Sequence, residues 1–254
     1  MGNYPKVTII TPSLNQGQFI ENTILSVINQ DYPNIEYIIM DGGSTDNTLN
    51  IIKKYDYAIV YWESRPDKGE ADAINKGLKI ATGKYVGWLC SDDYLEQGVI
   101  WDIVKAFEDP EVGTVCGKLR IINEKGEFIN YRFSTVPITF DNLLNGNAQI
   151  LQPGSFHRLE LFQRYGYLDE NLNYAMDYEL WLRFGKYSTF KQLDKIVANH
   201  RFHEKSKTIT AYAKFIPEIK RIRKKYGGKM LCAKSIGIFR YELIYLFKKI
   251  LRLQ

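Results

Sequence analysis

Two adjacent carboxylates, Asp92 and Asp93, follow closely on the apolar run Tyr85-Val86-Gly87-Trp88-Leu89. A short apolar run bounded by Gly83 and by an acidic pair reads as a buried strand of an α/β sheet. Ligands of such sheets bind outside the carboxyl ends of the strands, so this pair stands where a ligand belongs. Neighbouring like charges repel, and a hard divalent cation relieves the repulsion. Mg²⁺ or Mn²⁺ held by one or two carboxylates together with a substrate diphosphate is the chemistry such a pair fits. The structural alternative is that Ser91 or Asp92 caps a helix beginning near Gln97. A second acid ends a second strand-like run, in Asp41-Gly42-Gly43-Ser44-Thr45-Asp46, where the glycines let backbone approach a ligand.

The elements that must position these acids alternate regularly. Residues 7–11 form a β-branched strand stopped by Pro12, and the loop Ser13-Leu14-Asn15-Gln16-Gly17 leads into a segment with Phe19, Ile20, Ile24, Val27 and Ile28 at helical spacing. Residues 35–40 are a second strand, followed by a helix to about Tyr55 that Ser44, Thr45 or Asp46 would cap. Residues 58–63 are a third strand. After the turn Arg65-Pro66-Asp67-Lys68-Gly69, a helix over 70–81 carries Asp72, Asn75 and Lys76. Four strand–helix repeats predict an α/β fold with a doubly wound, mostly parallel sheet. No G-x-G-x-x-G follows the first strand and no G-x-x-x-x-G-K-[ST] occurs, which argues against a dinucleotide-binding fold and a P-loop enzyme.

Further on, the spacing predicts a helix over 97–107, a strand over 112–115, a hairpin over 118–133 turning at Glu124-Lys125-Gly126, a helix over 159–165 and a closing strand over 189–197. The chain of 254 residues carries three widely spaced cysteines, which suggests reduced thiols and a cytoplasmic protein, and no secretion signal is expected at its start. The net charge of +5 divides unevenly, +10 over residues 211–254 and −5 over the remainder. A basic tail with Ile236, Phe239, Leu243, Phe247, Ile250 and Leu251 near helical spacing fits an interfacial helix on an anionic membrane surface, or a helix packed on the domain. Its apolar positions are too interrupted to span a bilayer. No nucleic-acid module is recognisable, so nucleic acid is not an expected partner.

Taken together, Thr11-Pro12-Ser13-Leu14-Asn15-Gln16, the Asp41–Asp46 segment, Asp67-Lys68-Gly69 with Asp72-Ala73-Ile74-Asn75-Lys76-Gly77, and Ser91-Asp92-Asp93 resemble, in order and spacing, the nucleotide-sugar half of family 2 glycosyltransferases. The resemblance implies a GT-A fold over residues 1–210, with the nucleotide-sugar half to about residue 115, the acceptor half over about 116–210, and a separate basic tail over 211–254. It implies a donor pocket of Thr11, Ser13 and Asn15, with Asp41 at the nucleobase, Asp67 and Lys68 along the donor, Asp92 at the ribose and Asp93 on a metal-bound diphosphate. Gln152, Gly154 and Ser155 would back the acceptor site.

The same resemblance gives Asp177 the role of general base in an inverting transfer, although the family's usual Glu-Asp is Met176-Asp177 here. At a helix N-terminus the Asp177 carboxylate is expected to stay ionised. Glu179 would support the acceptor side, and His203, ahead of His200, would approach the diphosphate or metal. Lys205, Ser206 and Lys207 would form a lid. The implied reaction moves a sugar from a nucleoside diphosphate, most simply UDP, to a glycan or lipid-linked glycan hydroxyl. A sugar-nucleotide-forming nucleotidyltransferase would require a basic, glycine-rich loop after the first strand, and 11–17 holds one glycine and no Lys or Arg. A non-catalytic, membrane-tethered binding module would be marked by loss of Asp93 or Asp177, and both are present.

Overall fold

A computed structural model describes residues 4–204, 206, 212–240 and 242. Strands β1 (Val7–Ser13), β2 (Ile35–Asp41), β3 (Tyr61–Ser64) and β4 (Tyr85–Trp88) pair in parallel in the order β3-β2-β1-β4. Helices α1 (Ile20–Ile28), α2 (Thr48–Lys54) and α3 (Glu70–Ile80) connect them. Every residue of β1 is buried, as expected for a parallel strand covered on both faces. The expected strand–helix alternation is present, with the third strand shifted to Tyr61–Ser64 because residues 56–58 close a 3₁₀ turn.

The second half extends the same sheet with mixed pairing. It contains β5 (Tyr94–Leu95), α4 (Val99–Ala106), β6 (Val112–Asn123), β7 (Phe128–Arg132) and α5 (Phe140–Leu144), then β8 (Ser155–Arg158), α6 (Leu159–Tyr165), α7 (Met176–Phe184) and β9 (Thr189–Phe202). The nine-stranded sheet continues β4-β8-β6-β9-β5, with β7 paired to β6. Strand β8 runs antiparallel to both β4 and β6. The hairpin turns where expected, with Gly126 at φ +87° and Gly126 N–H donating to the Asn123 carbonyl.

Two differences from the sequence reading bear on function. Strand β9 runs five residues beyond the expected end at 197, because Asn199, His200, Arg201 and Phe202 keep register with Arg120–Asn123 of β6. Helix α4 starts at Val99 with Gly98 (φ +74°) at its N-cap. Ser91 and Asp92 therefore cap nothing there, since β5 lies between them and the helix.

Hydrophobic clusters cover both faces of the sheet. One joins α1, α2 and α4 to the sheet through residues such as Ile24, Ile52 and Ile103; the other contains Ile74, Trp88, Phe162, Leu180 and Phe184. The second cluster also takes in Ile222 from α8 (Tyr212–Lys225), the first helix of the basic tail. Residues 233–240 form a further helical turn segment. The expected lid residues Lys205 and Lys207, and the expected tail positions Leu243, Phe247, Ile250 and Leu251, lie outside the described residues. Among the described residues no helix is long and apolar enough to cross a membrane.

A buried histidine makes the fold acid-sensitive. His157 is fully buried between Trp88, Phe162 and Phe184, with Nδ1 3.0 Å from Thr114 Oγ1 and Nε2 without a partner. Burial lowers its pKa to about 3. The unfolded chain therefore takes up this proton first, below about pH 6.5, and stability falls as pH drops from there towards 3, by up to about 1.4 kcal/mol per pH unit. Urea melts at pH 7, 6 and 5 should show this loss, with a shallower slope in His157→Phe.

Candidate active site

The segments that follow β1, β3 and β4 converge at the carboxyl edge of the parallel strands, and a cleft of about 520 Å³ opens there. The end of β1 supplies Ser13 and the loop after it Gln16, the segment before α3 supplies Asp67 and Gly69, and the turn after β4 supplies Cys90, Ser91, Asp92 and Asp93. That last turn is pinned from below by α1, whose buried Thr23 hydroxyl lies 2.9 and 2.6 Å from the carbonyls of Ser91 and Asp93.

The two aspartates have different surroundings. Asp93 is 1% exposed; its carboxylate accepts the Arg201 N–H at 2.8 Å and lies 3.0 Å from His200 Nδ1. Burial raises its pKa, helped by the charge of Asp92 and opposed by His200. Burial alone would lower the His200 pKa, but the Asp93 carboxylate outweighs it and the net shift is upward. Asp92 is more open, and its Oδ2 lies 2.9 Å from His203 Nε2. Phe19 packs against the His203 ring at 4.9 Å between centroids and fixes its place. Register explains the pairing: Tyr94 opposes Asn199 and Leu95 opposes Ala198, which sets the acids preceding β5 beside the histidines that end β9. His200, ranked second on sequence, is thus as firmly placed as His203. Arg201 also belongs to this cluster, with Nε donating to the Asp92 carbonyl at 3.0 Å.

Donor atoms of Cys90, Asp92 and Asp93 lie within 4.8 Å of one another. The Cys90 thiol is a poor partner for a hard cation, because burial and the charges of Glu70, Asp92 and Asp93 push its pKa well up. Asp92 and Asp93 both line the cleft, as do His200 and His203; the two carboxylates are donors that suit Mg²⁺ or Mn²⁺, and Asp92 is the more open of the two.

The remaining donor-side candidates divide into residues that face the cleft and residues that shape it. Ser13 lines the cleft, and its buried hydroxyl has no hydrogen-bond partner among the described residues. Asp67 also lines it, packed so closely on Gly42 that a Cβ there would sit 2.7 Å from its carboxylate. Thr11 is fully buried, 3.1 Å from the Tyr37 hydroxyl. Asn15, in the left-handed region at φ +53°, accepts the Thr45 N–H at 2.9 Å and so fastens the first loop to the second. The Asp41 carboxylate is 2% exposed and accepts from Gly43 N, Ser44 N, and the hydroxyls of Ser44 and Ser64. Lys68 is exposed, and its backbone N–H donates to Asp72.

On the acceptor side, Asp177 lines the cleft from the first turn of α7. Its Oδ1 accepts the Tyr178 N–H at 2.7 Å. Burial nevertheless raises its pKa to about 7, and the charges of Glu70 and Glu218 add to this. The expectation that the helix terminus keeps Asp177 fully ionised is corrected: desolvation outweighs the N-terminal partial charge, and the group titrates near neutrality. Gln152 lines the cleft and donates Nε2 to the Trp88 carbonyl at 2.6 Å. Gly154 and Ser155 are buried and stand outside the cleft lining, as does Glu179. Glu179 is held by Arg183 Nη2 and Lys225 Nζ, both at 2.8 Å, and by the Tyr226 hydroxyl at 2.6 Å. These partners keep its pKa low against the opposing effect of burial. Residues missed on sequence are Cys90 and Glu70, Arg132 on β7, and Tyr174 with Phe215, all lining the cleft.

Comparison with known proteins gives the family and the fold. The family model described as Glycosyl transferase family 2 matches residues 8–166. Chondroitin synthase of Pasteurella multocida (strain Pm70) is 30% identical over 202 residues, which cover 78% of this chain and 21% of that relative's length. Among solved structures, S. aureus TarS 1–349 in complex with UDP-GlcNAc superposes with a TM-score of 0.69 at 21% identity, over 92% of this chain and 69% of that one. The mannosyltransferase PcManGT from Pyrobaculum calidifontis, in complex with GDP-Man and Mn²⁺, gives 0.62 at 22% identity, over 84% and 61%. The chain therefore belongs to glycosyl transferase family 2, and its fold is GT-A.

Proposed function

We propose that this chain is a metal-dependent, inverting glycosyltransferase that moves a sugar from a UDP-sugar to a hydroxyl of a glycan or lipid-linked glycan. One observation carries the reading: Asp177, whose pKa burial raises, lines one cleft together with the Asp92–His203 and Asp93–His200 pairs. The acceptor hydroxyl gives its proton to Asp177 as its oxygen attacks C1 of the donor sugar. The C1–O bond to the diphosphate breaks, and the nucleoside diphosphate leaves with the electron pair. Attack from the face opposite the leaving group inverts C1, through an oxocarbenium-like transition state. Asp92 and His203 would hold the divalent cation. When bound, that cation supplies positive charge to the diphosphate oxygens. Ser13 and Asp67 face the donor, while Thr11, Asn15 and Asp41 hold the two loops that enclose the nucleoside.

Calorimetric titration of UDP and GDP, with and without Mn²⁺, tests the donor half. Mn²⁺-dependent binding of UDP over GDP is expected. Tighter binding of GDP would keep the mechanism and change the donor, and binding of neither would overturn the reading.

The tail also presents an apolar and basic surface. Met230 and Leu231 are 90% and 93% exposed, beside Lys229 and Lys234. A membrane surface carrying the acceptor would account for both features. Sedimentation with vesicles containing phosphatidylserine should fall about tenfold in a Met230→Ser, Leu231→Ser double variant, given roughly 0.8 kcal/mol per buried CH₂, and should fall further with salt. Equal sedimentation of both proteins would remove the membrane from the proposal.

A further inference from the structure

The first helix of the tail, α8, joins the site instead of standing apart from it. Its Glu218 carboxylate reaches the segment that leads into α7, where Oε1 accepts the Asn173 N–H at 3.0 Å and Oε2 accepts the N–H groups of Tyr174 and Ala175, both at 2.9 Å. Ala175 is the N-cap of α7 and contributes no side-chain cap, so this anion from another element serves the start of the helix. Two residues later comes Asp177. The connection is made in both directions, because Glu179 of α7 accepts from Lys225 and Tyr226 at the far end of α8. One turn before Glu218, Phe215 of α8 lines the cleft with its ring 5.3 Å from that of Tyr174. Leu180, Leu182 and Phe184 anchor α7 in the hydrophobic cluster, where they are fully buried. What Glu218 fixes is the approach of residues 173–175, and with it the placing of Tyr174 and Asp177 in the cleft.

We propose that Glu218 is a positioning residue for the transfer reaction, holding the segment 173–175 so that Asp177 and the Tyr174–Phe215 wall face the acceptor. The proposal rests on the reading of Asp177 as the base. Substrate orientation is among the larger contributions to enzymatic rate, and small displacements of the reacting groups are costly. Removing the clamp should therefore lower turnover while leaving the donor pocket intact.

The test uses the full chain with Glu218→Ala, Glu218→Gln and, as a control on the exposed face of the same helix, Lys220→Ala. Amide hydrogen exchange at residues 173–175 reports the clamp and requires no substrate. UDP release from UDP-GlcNAc gives kcat and KM, and calorimetry with UDP gives donor affinity. In Glu218→Ala, exchange at 173–175 should quicken at least tenfold and kcat should fall about ten- to a hundredfold, with KM and UDP affinity within twofold of wild type. Glu218→Gln, which keeps an acceptor oxygen, should recover part of the rate, and Lys220→Ala should match wild type. Faster exchange with unchanged kcat would make Glu218 merely structural and overturn the proposal, as would unchanged exchange. Wild-type protein that binds UDP but responds to neither Glu218 variant overturns this inference alone. Wild-type protein that neither binds UDP nor turns over the donor overturns the proposed function with it.

Discussion

Replacing Asp177 by asparagine is expected to cut transfer by about two to four orders of magnitude, the usual contribution of a positioned general base. UDP affinity should remain as it was, because Asn preserves the shape of the residue and the donor side of the cleft is untouched. The pH dependence of the wild-type rate follows from the same carboxylate. Burial sets its pKa at about 7, so the basic form is scarce at pH 6 and predominant at pH 8, and kcat should rise with pH across that interval. Stability should run the other way. The folded state binds this proton more tightly than the unfolded chain, whose aspartate titrates near 3.8. The contribution of Asp177 is therefore favourable at low pH and is lost as pH rises through 7. Asp177→Asn should melt above wild type at pH 8, with the gap closing towards pH 4. An active site that costs stability where it is most reactive is a familiar trade. Turnover within a few-fold of wild type at pH 8 would remove Asp177 from the base role.

The donor half of this arrangement is legible in the sequence because two of its strands end in a sharp chemical change. The second strand ends at Asp41-Gly42-Gly43 and the fourth closely precedes Ser91-Asp92-Asp93, whereas the first runs past the expected stop at Pro12 to Ser13, since Pro12 and Ser13 keep register with Met40 and Asp41. Parallel strands buried on both faces produce continuous apolar runs, and their carboxyl ends collect polar ligand-facing residues. The pairing of acids with histidines is not legible in the same way. It depends on β5, a strand of two residues that is shorter than any periodicity can reveal, and on the polar end of β9, where Asn199, His200 and Arg201 look like loop until β6 pairs with them. Side-chain alternation then matters. His200 at the end of β9 and His203 just beyond it reach different aspartates, and a shift of one residue in register would exchange or separate them.

The tail shows a different limit. Its charge is conspicuous in the sequence, and charge alone favours an anionic surface. Yet Ile222 is 2% exposed within a hydrophobic cluster, and Arg223 is buried with its guanidinium on the carbonyls of Leu144 and Lys229. Long basic side chains can cover apolar surface while their heads find carbonyl oxygens. A run rich in Lys and Arg can therefore pack against the body along one helix and remain exposed in the next segment, where Met230 and Leu231 stand out.

Asp92 and Asp93 are adjacent in sequence and should fail in different ways when neutralised. Asp92→Asn is expected to fold normally and to lose Mn²⁺-dependent UDP binding by about a hundredfold or more, since a cation on a diphosphate contributes several kcal/mol and each 1.4 kcal/mol is tenfold. Its side chain faces the cleft and meets His203 Nε2 at 2.9 Å. Asp93→Asn should instead show its main effect in melting. The buried Asp93 carboxylate accepts the Arg201 N–H and faces His200, and neutralising one member leaves the other poorly paired in a desolvated place. His203→Ala should follow Asp92→Asn in losing metal-dependent affinity without loss of fold, and His200→Ala should follow Asp93→Asn in losing stability. Calorimetry with UDP and Mn²⁺, set beside thermal melts of the same four variants, separates the pairs. If Asp93→Asn keeps its melting temperature and loses the metal while Asp92→Asn retains it, the cation belongs to Asp93 as the family resemblance implies. The His203–Asp92 contact would then serve only to close the end of β9 over the cleft.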